Sequence, residues 1–220
     1  NWTMVRTRRG CGVARSPDRG TQGARTLRPA EGFSGVDLAD LAGYLKSTDP
    51  LSRSLGLAAV NAYWNRPDAD YPEIVPQGGF ARLQPPGTGL VIIGGFRGAQ
   101  RRLPEARLVE REPKGNDIPA EQATTAIAEA KILAITAQTL MNGSLDLVLS
   151  AAGHRPHRIL IGPSAPLCPP LLNHGVDEIS AAVIHDADAA ETFIHETGSM
   201  IMLDSIATSM YLKRSDKEEN

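Results

Sequence analysis

The stretch Gly89–Gly98, reading GLVIIGGFRG, constrains the fold more than any other part of this chain. Leu90 to Ile93 are all apolar, so neither face of the segment is suited to water, and the run ends abruptly at Gly94-Gly95. A strand buried on both faces reads this way, and such strands belong to parallel sheets covered by helices on both sides. In open sheets of that kind the turn after a strand faces a ligand crevice. Gly94, Gly95 and Phe96 are therefore expected at the mouth of a binding site.

The pattern recurs downstream. Leu90–Ile93, Arg107–Glu110, Ile132–Thr136, Arg158–Ile161 and Glu178–Ile184 read as strands, with helical connections at Ala120–Ala130 and Ser144–Ala152. Alternation of this kind predicts an α/β fold with a doubly wound parallel sheet. Upstream the pattern differs. Trp2–Thr7 and Gly12–Ser16 form a predicted hairpin with Gly10 and Gly12 in its turn, followed by a long loop over Ser16–Gly35. Ser34 is the expected N-cap of a first helix, and Asp49-Pro50 opens a second that runs to Trp64. Gly56 and the alanines beside it suggest close helix-on-sheet packing.

The segment Asn65–Pro86 holds five prolines and is the expected junction. It separates a smaller α+β domain over residues 1–75 from the parallel-sheet domain over 76–220. Asn1-Trp2-Thr3 enters as though mid-strand, so a strand preceding it is expected. Near the other end Asp188–Thr197 reads as a helix stopped by Gly198, Ser199–Leu212 fits strand or helix, and Lys213–Asn220 is a charged tail.

Composition narrows the function. A net charge of −2 over 220 residues argues against a nucleic-acid binder held by the phosphate backbone. Arginines crowd the first thirty residues (Arg6, Arg8, Arg9, Arg15, Arg19, Arg25, Arg28), as a solvated face or an anion-binding wall. Two cysteines far apart, Cys11 and Cys168, form no disulfide framework and no zinc knuckle, which fits a reduced, cytoplasmic setting. No apolar run approaches the ~20 residues of a membrane span, so no membrane partner is expected. Assembly into a homo-oligomer is left open.

The loops after the strands should gather on one edge of the sheet. They comprise Gly94-Gly95-Phe96, the turn after Glu110, the run from Thr136 through Asn142-Gly143-Ser144, Gly162-Pro163-Ser164, and His185-Asp186. Gly94-Gly95-Phe96-Arg97-Gly98 lacks the spacing of the GxGxxG dinucleotide fingerprint, although Glu110 stands where a ribose-binding acid would. Asn142-Gly143 is a strong turn pair, and Ser144 is the expected cap of the helix that follows. No nucleophile motif and no closely spaced metal-ligand set is present. Cys168 reads as a packed thiol, His154 and His157 as surface residues, and His174 as the end of a helix. His185 beside Asp186 is the histidine best placed for a functional role.

Taken in order, five runs carry a family resemblance: Leu55–Ala62, Val91–Phe96, Val109–Pro113, Thr139–Leu145 and Gly162–Leu167. On them the chain is similar to the heavy-metal chelation domain family, long catalogued as a domain of unknown function. The resemblance implies an enolase-N-terminal-like lead domain, a Rossmann-like second domain and a ligand cleft between the two. Asn61, polar and late on the second helix, is then expected either to point into that cleft or to bond a loop carbonyl at the helix end. The chain departs from the family pattern in carrying Ser144 and Ala165 where threonines are usual, and Gly95 and Arg97 around Phe96. No ligand set transfers residue by residue.

Three functions follow from this reading. The first is binding, in an interdomain cleft, of a metal ion, a metal–chelator complex or a small anionic metabolite, with a role in metal handling. The identity of the metal or metal complex stays open. The second is a lyase or transferase acting on a small acid, with Glu110 as general base. The third is a nucleotide-binding Rossmann module. Whether the chain is an enzyme is open at this stage.

Overall fold

A computed structural model of the chain describes residues 2–17, 32–70, 74–76, 83, 89–96, 99–197 and 203–214. Most of the expected long loop (18–31), Arg97-Gly98, the stop at Gly198 and the tail beyond 214 lie outside the described residues. Strands β1 (Trp2–Thr7) and β2 (Gly10–Arg15) form an antiparallel hairpin. Arg8 and Arg9 make its turn, and the strand partner begins at Gly10, earlier than expected. Gly12 is not in the turn; it pairs with Val5 in mid-strand.

The hairpin is gripped from both faces. Val5 and Ala14 join helix α2 (Pro50–Trp64) in one cluster, while Cys11 and Val13 pack with Ala182 and Ile184 of the larger sheet. The reason Gly12 is a glycine lies in the first contact. A Cβ built there would lie 2.1 Å from the backbone N of Ala62 and 2.3 Å from the carbonyl of Ala58. Gly56, by contrast, faces the backbone of Leu45 rather than a sheet, so its small size admits the chain after helix α1 (Leu38–Gly43). Asp49 opens α2 as expected: its carboxylate accepts from Ser52 N at 2.7 Å, with Pro50 in the first turn. For α1 the cap is Asp37, which accepts from Ala39 N at 2.8 Å, and not Ser34, which sits in the turn upstream. A carboxylate adjacent to the first helical turn is the better placed and stronger acceptor.

The larger sheet has eight described strands. Six run parallel in the order β6 (Ile118–Pro119), β5 (Arg107–Glu110), β4 (Leu90–Ile93), β7 (Ile132–Thr136), β8 (His157–Ile161), β9 (Glu178–Ile184). Strand β10 (Ala207–Lys213) joins β9 antiparallel, and β3 (Val75–Pro76) pairs antiparallel with β10. The ambiguous stretch near the end thus resolves into a short helix α9 (Leu203–Ile206) followed by β10.

Burial on both faces explains the apolar runs. Val91, Ile93, Leu133 and Ile135 face one side with Ala126 and Ile127 of helix α4 (Ala123–Ala128). Leu90, Ile92, Ala134 and Ile159 face the other with Leu103, just beyond helix α3 (Ala99–Arg102). Alternate residues of one strand thereby fill two cores. The remaining helices are α5 (Gln138–Asn142), α6 (Leu145–Ala152), α7 (Pro169–Asn173) and α8 (Ala187–Thr197). Among the described residues no helix is long and apolar enough to cross a membrane.

Candidate functional site

From β4 the chain moves outward to β5 and β6, then returns across the sheet to β7 and continues the other way. The switch point of the sheet is therefore the β4/β7 boundary, where the two strand-end loops diverge and leave a crevice. The structure has a cavity of about 430 Å³ there. Gly94 and Gly95 from β4, Glu110 and Arg111 from β5, and Thr136 from β7 contribute to it, with walls from α4, α5 and α6.

The glycine pair is explained by two close approaches. Gly94 has φ +89° and donates its N–H to Val109 O at 2.9 Å, tying the loop to β5. A Cβ there would sit 2.4 Å from Thr136 Cγ2. At Gly95 a Cβ would sit 2.2 Å from Glu110 Oε1. The glycines thus leave room for one carboxylate to lie across the strand end. Burial, followed by the nearby Asp117, raises the pKa of Glu110, while the Arg111 backbone N–H opposes the shift. Among the described residues no ion pair reaches Glu110.

On the opposite wall the Asn142-Gly143-Ser144 turn is built from within. Asn142 Oδ1 accepts from Ser144 N at 3.0 Å and from Ser144 Oγ at 2.6 Å, and Gly143 takes the left-handed conformation at φ +73°. Ser144 precedes α6 as expected, but its hydroxyl caps no helix N–H. The Asn142 oxygen lies closer and engages it first. Thr136 is anchored through its carbonyl, which accepts from Thr139 Oγ1 at 2.7 Å. Arg53 of α2 donates to the carbonyl of Met141 at 2.7 Å, so the lead unit holds the end of α5 beside the crevice.

The crevice therefore brings together Gly94, Gly95, Glu110, Thr136, Asn142 and Ser144 of the expected residues. The others lie elsewhere. Gly143 is exposed at the turn, and Phe96 packs 3.7 Å from a Cβ position on Gly162. Asp186 is exposed and accepts from Ala189 N at 2.9 Å at the start of α8, with His185 exposed beside it.

Asn61 and the Gly162-Pro163-Ser164 loop meet at the junction of the lead unit with the sheet. Asn61 is fully buried and donates to Val13 O at 2.8 Å and Ser164 O at 3.0 Å. Ser164 Oγ accepts from Arg15 N at 3.0 Å. The Asn61 amide nitrogen and Ser164 thus join the two units, while the buried Asn61 Oδ1 has no hydrogen-bond partner among the described residues; there the crevice lining comes from the larger unit alone. Asn65, one turn after Asn61, belongs to the same seam. Its Nδ2 donates to Ala165 O and Ala182 O at 2.8 and 3.3 Å, and its Oδ1 accepts from Leu167 N at 2.7 Å. The signal for it was legible: two amides stand four apart at the end of α2, Asn61 in its last turn and Asn65 as its C-cap. Thr124, Gln138 and Thr139 also line the crevice and carry no sequence signal of their own.

The described residues do not fit a bare metal ion. No group of three or more His, Cys, Asp or Glu among them is placed to hold one. Burial pushes the Cys11 thiol up to about 11 and also raises Cys168, so neither presents a ready thiolate.

Comparison with known proteins agrees with this architecture. A family model described as "Putative heavy-metal chelation", DUF364, matches residues 80–213, and a second with the same description, DUF4213, matches residues 1–64. A crystal structure of a DUF364-family protein of unknown function from Desulfitobacterium hafniense DCB-2 is similar at 25% identity and TM-score 0.83, covering 96% of this chain and 87% of that one. One from Pyrococcus horikoshii, also of unknown function, shares the fold at 18% identity and TM-score 0.76, covering 97% and 88%. No curated protein sequence matches. The family description points coarsely to a metal-related role. With its larger unit matched from 80 to 213, the chain belongs to the DUF364 heavy-metal chelation family.

Proposed function

We propose that the chain binds a small organic ligand in the switch-point crevice and handles metal only as a complex of that ligand. The supporting observation is the donor set. Among the described residues lining the cavity, Glu110 is the one carboxylate and Arg111 the one cation, and the rest are hydroxyls, amides and apolar groups. A hard divalent cation takes roughly six oxygen ligands, and a soft one takes thiolates or imidazoles. Most donors must then arrive with the metal. With one carboxylate and one guanidinium on its described lining, the crevice suits a complex of little net charge.

Thermal melting with nickel(II), cobalt(II) and zinc(II) chlorides, against the same ions as bis-histidine complexes, tests this reading. The complexes should raise the melting temperature and the bare ions should not. Equal shifts from both, or none from either, would overturn it. A second reading, proton transfer by Glu110 in a lyase or transferase, is favoured by the raised pKa, which moves a carboxylate toward the range of a useful base. It requires that Glu110→Gln abolish turnover while ligand binding persists.

A further inference from the structure

We propose that the crevice binds a ribonucleoside, with the vicinal ribose hydroxyls on the Glu110 carboxylate and the base in the apolar slot beside it. This rests on the reading above that an organic ligand occupies the crevice, and it names the class of that ligand. Three observations carry it.

The first is topological. The order β6-β5-β4-β7-β8-β9 is that of a sheet wound outward from β4 in both directions. In such a sheet the strand beside the switch strand ends at the ribose position, and here that strand ends in Glu110. The second is geometric. The carboxylate lies against Gly95, where no side chain intervenes between it and the β4 loop, and Oε1 fills the place a Cβ would take. The third is chemical. An ionised carboxylate only accepts hydrogen bonds, and its two oxygens match the two adjacent O–H donors of a ribose. Leu147 and Val148 line the same cavity over the buried Ile93, Val109 and Ile127, and offer a flat base an apolar surface. The volume of about 430 Å³ lies within the range of small-molecule sites. The exposed Arg111 is the one cation among the described residues lining this cavity, so the ligand is assigned as a nucleoside without phosphates.

Isothermal titration of the whole chain with adenosine, guanosine, cytidine and uridine, and with their 2′-deoxy and 2′,3′-dideoxy forms, is the test. At least one ribonucleoside should bind, its 2′-deoxy form about tenfold more weakly, the loss expected for one charge-assisted hydrogen bond. Glu110→Gln should remove most of that preference while leaving the dideoxy form unchanged. Gly95→Ala keeps the carboxylate but displaces it, and should weaken the ribonucleoside selectively. Equal affinity for ribo and deoxy forms, or a preference that survives Glu110→Gln, would overturn the proposal. If no nucleoside binds while the metal–histidine complexes still raise the melting temperature, the nucleoside assignment fails and the organic-ligand reading stands.

Discussion

The backbone of Gly95 lies directly against the carboxylate of Glu110, so close that a single added methyl group would overlap Oε1. Two strand ends thus define one chemical feature: β4 supplies the space and β5 the charge. The half-buried carboxylate has its pKa raised, first by burial and then by Asp117. A carboxyl whose folded pKa exceeds its unfolded value contributes most to stability below the unfolded value, and that contribution is lost as pH rises through the folded one. Replacing it with Gln should therefore stabilise the protein relative to wild type increasingly as pH climbs from about 4 toward 7. Urea unfolding of both proteins across that window checks this, and a difference independent of pH would contradict it.

Gly94 and Gly12 are predicted to be intolerant for different reasons. Gly94→Ala meets a left-handed backbone at φ +89° and the methyl of Thr136, and should cost about 2 kcal/mol. Gly12→Ala meets backbone atoms of α2 that cannot swing aside, and should cost more, about 3 kcal/mol, by prying the helix from the hairpin. Gly143→Ala, left-handed but with open space around it, should cost only about 1 kcal/mol. Chemical denaturation of the three variants should return that order.

Asn65 holds the seam between the units with three hydrogen bonds, all buried. Asn65→Ala leaves two carbonyls and an amide without this partner, and should destabilise by about 3 kcal/mol or more. Asn65→Asp retains the acceptor for Leu167 N but loses the donor and brings a charge into a buried seam, so it should be no better. A melting temperature within a degree or two of wild type for either variant would show that the seam is not held in this way.

The cysteines should behave as packed thiols. Cys11 is 1% exposed and has a pKa pushed up to about 11, and Cys168 is half-buried with its pKa raised. Iodoacetamide at neutral pH should label native protein slowly at both and unfolded protein rapidly. Fast native labelling of Cys168 would reopen thiolate ligation of a soft metal.

At low pH the buried end of the sheet should matter more than the crevice. Burial pushes the Asp177 pKa up, but hydrogen bonds from the Arg158 side chain and backbone outweigh that and lower it. A depressed carboxyl contributes stability above its unfolded value, lost as pH falls through the folded one. Asp177→Asn should therefore lose its destabilising effect under acid, most clearly below about pH 4. Acid unfolding of that variant in parallel with wild type would reveal any departure.

Much of the larger unit was legible because its strands are buried on both sides. Leu90–Ile93, Arg107–Glu110, Ile132–Thr136 and Glu178–Ile184 emerge at the expected residues, since continuous apolar runs bounded by glycine or charge have few alternatives. Asp49-Pro50 marked the start of α2 for an equally local reason. The two-residue strands β3 and β6 and the short helix α5 were not legible, being too short to carry a period. Of the site, the strand-end loops were visible as turns. Their partition into a crevice at Gly94, Glu110, Thr136, Asn142 and Ser144 and a seam at Asn61 and Ser164 was not.

Local chemistry by itself determined the longer parallel strands, the α2 cap and the Asn142-Gly143 turn, because each depends on neighbours a few positions apart. Tertiary structure alone decided that Gly12 admits a helix, that Ser164 Oγ accepts from the Arg15 backbone N–H, and that Gly95 makes way for the Glu110 carboxylate. Those outcomes rest on contacts between atoms distant in sequence, where a fraction of an ångström separates a binding surface from a packed one.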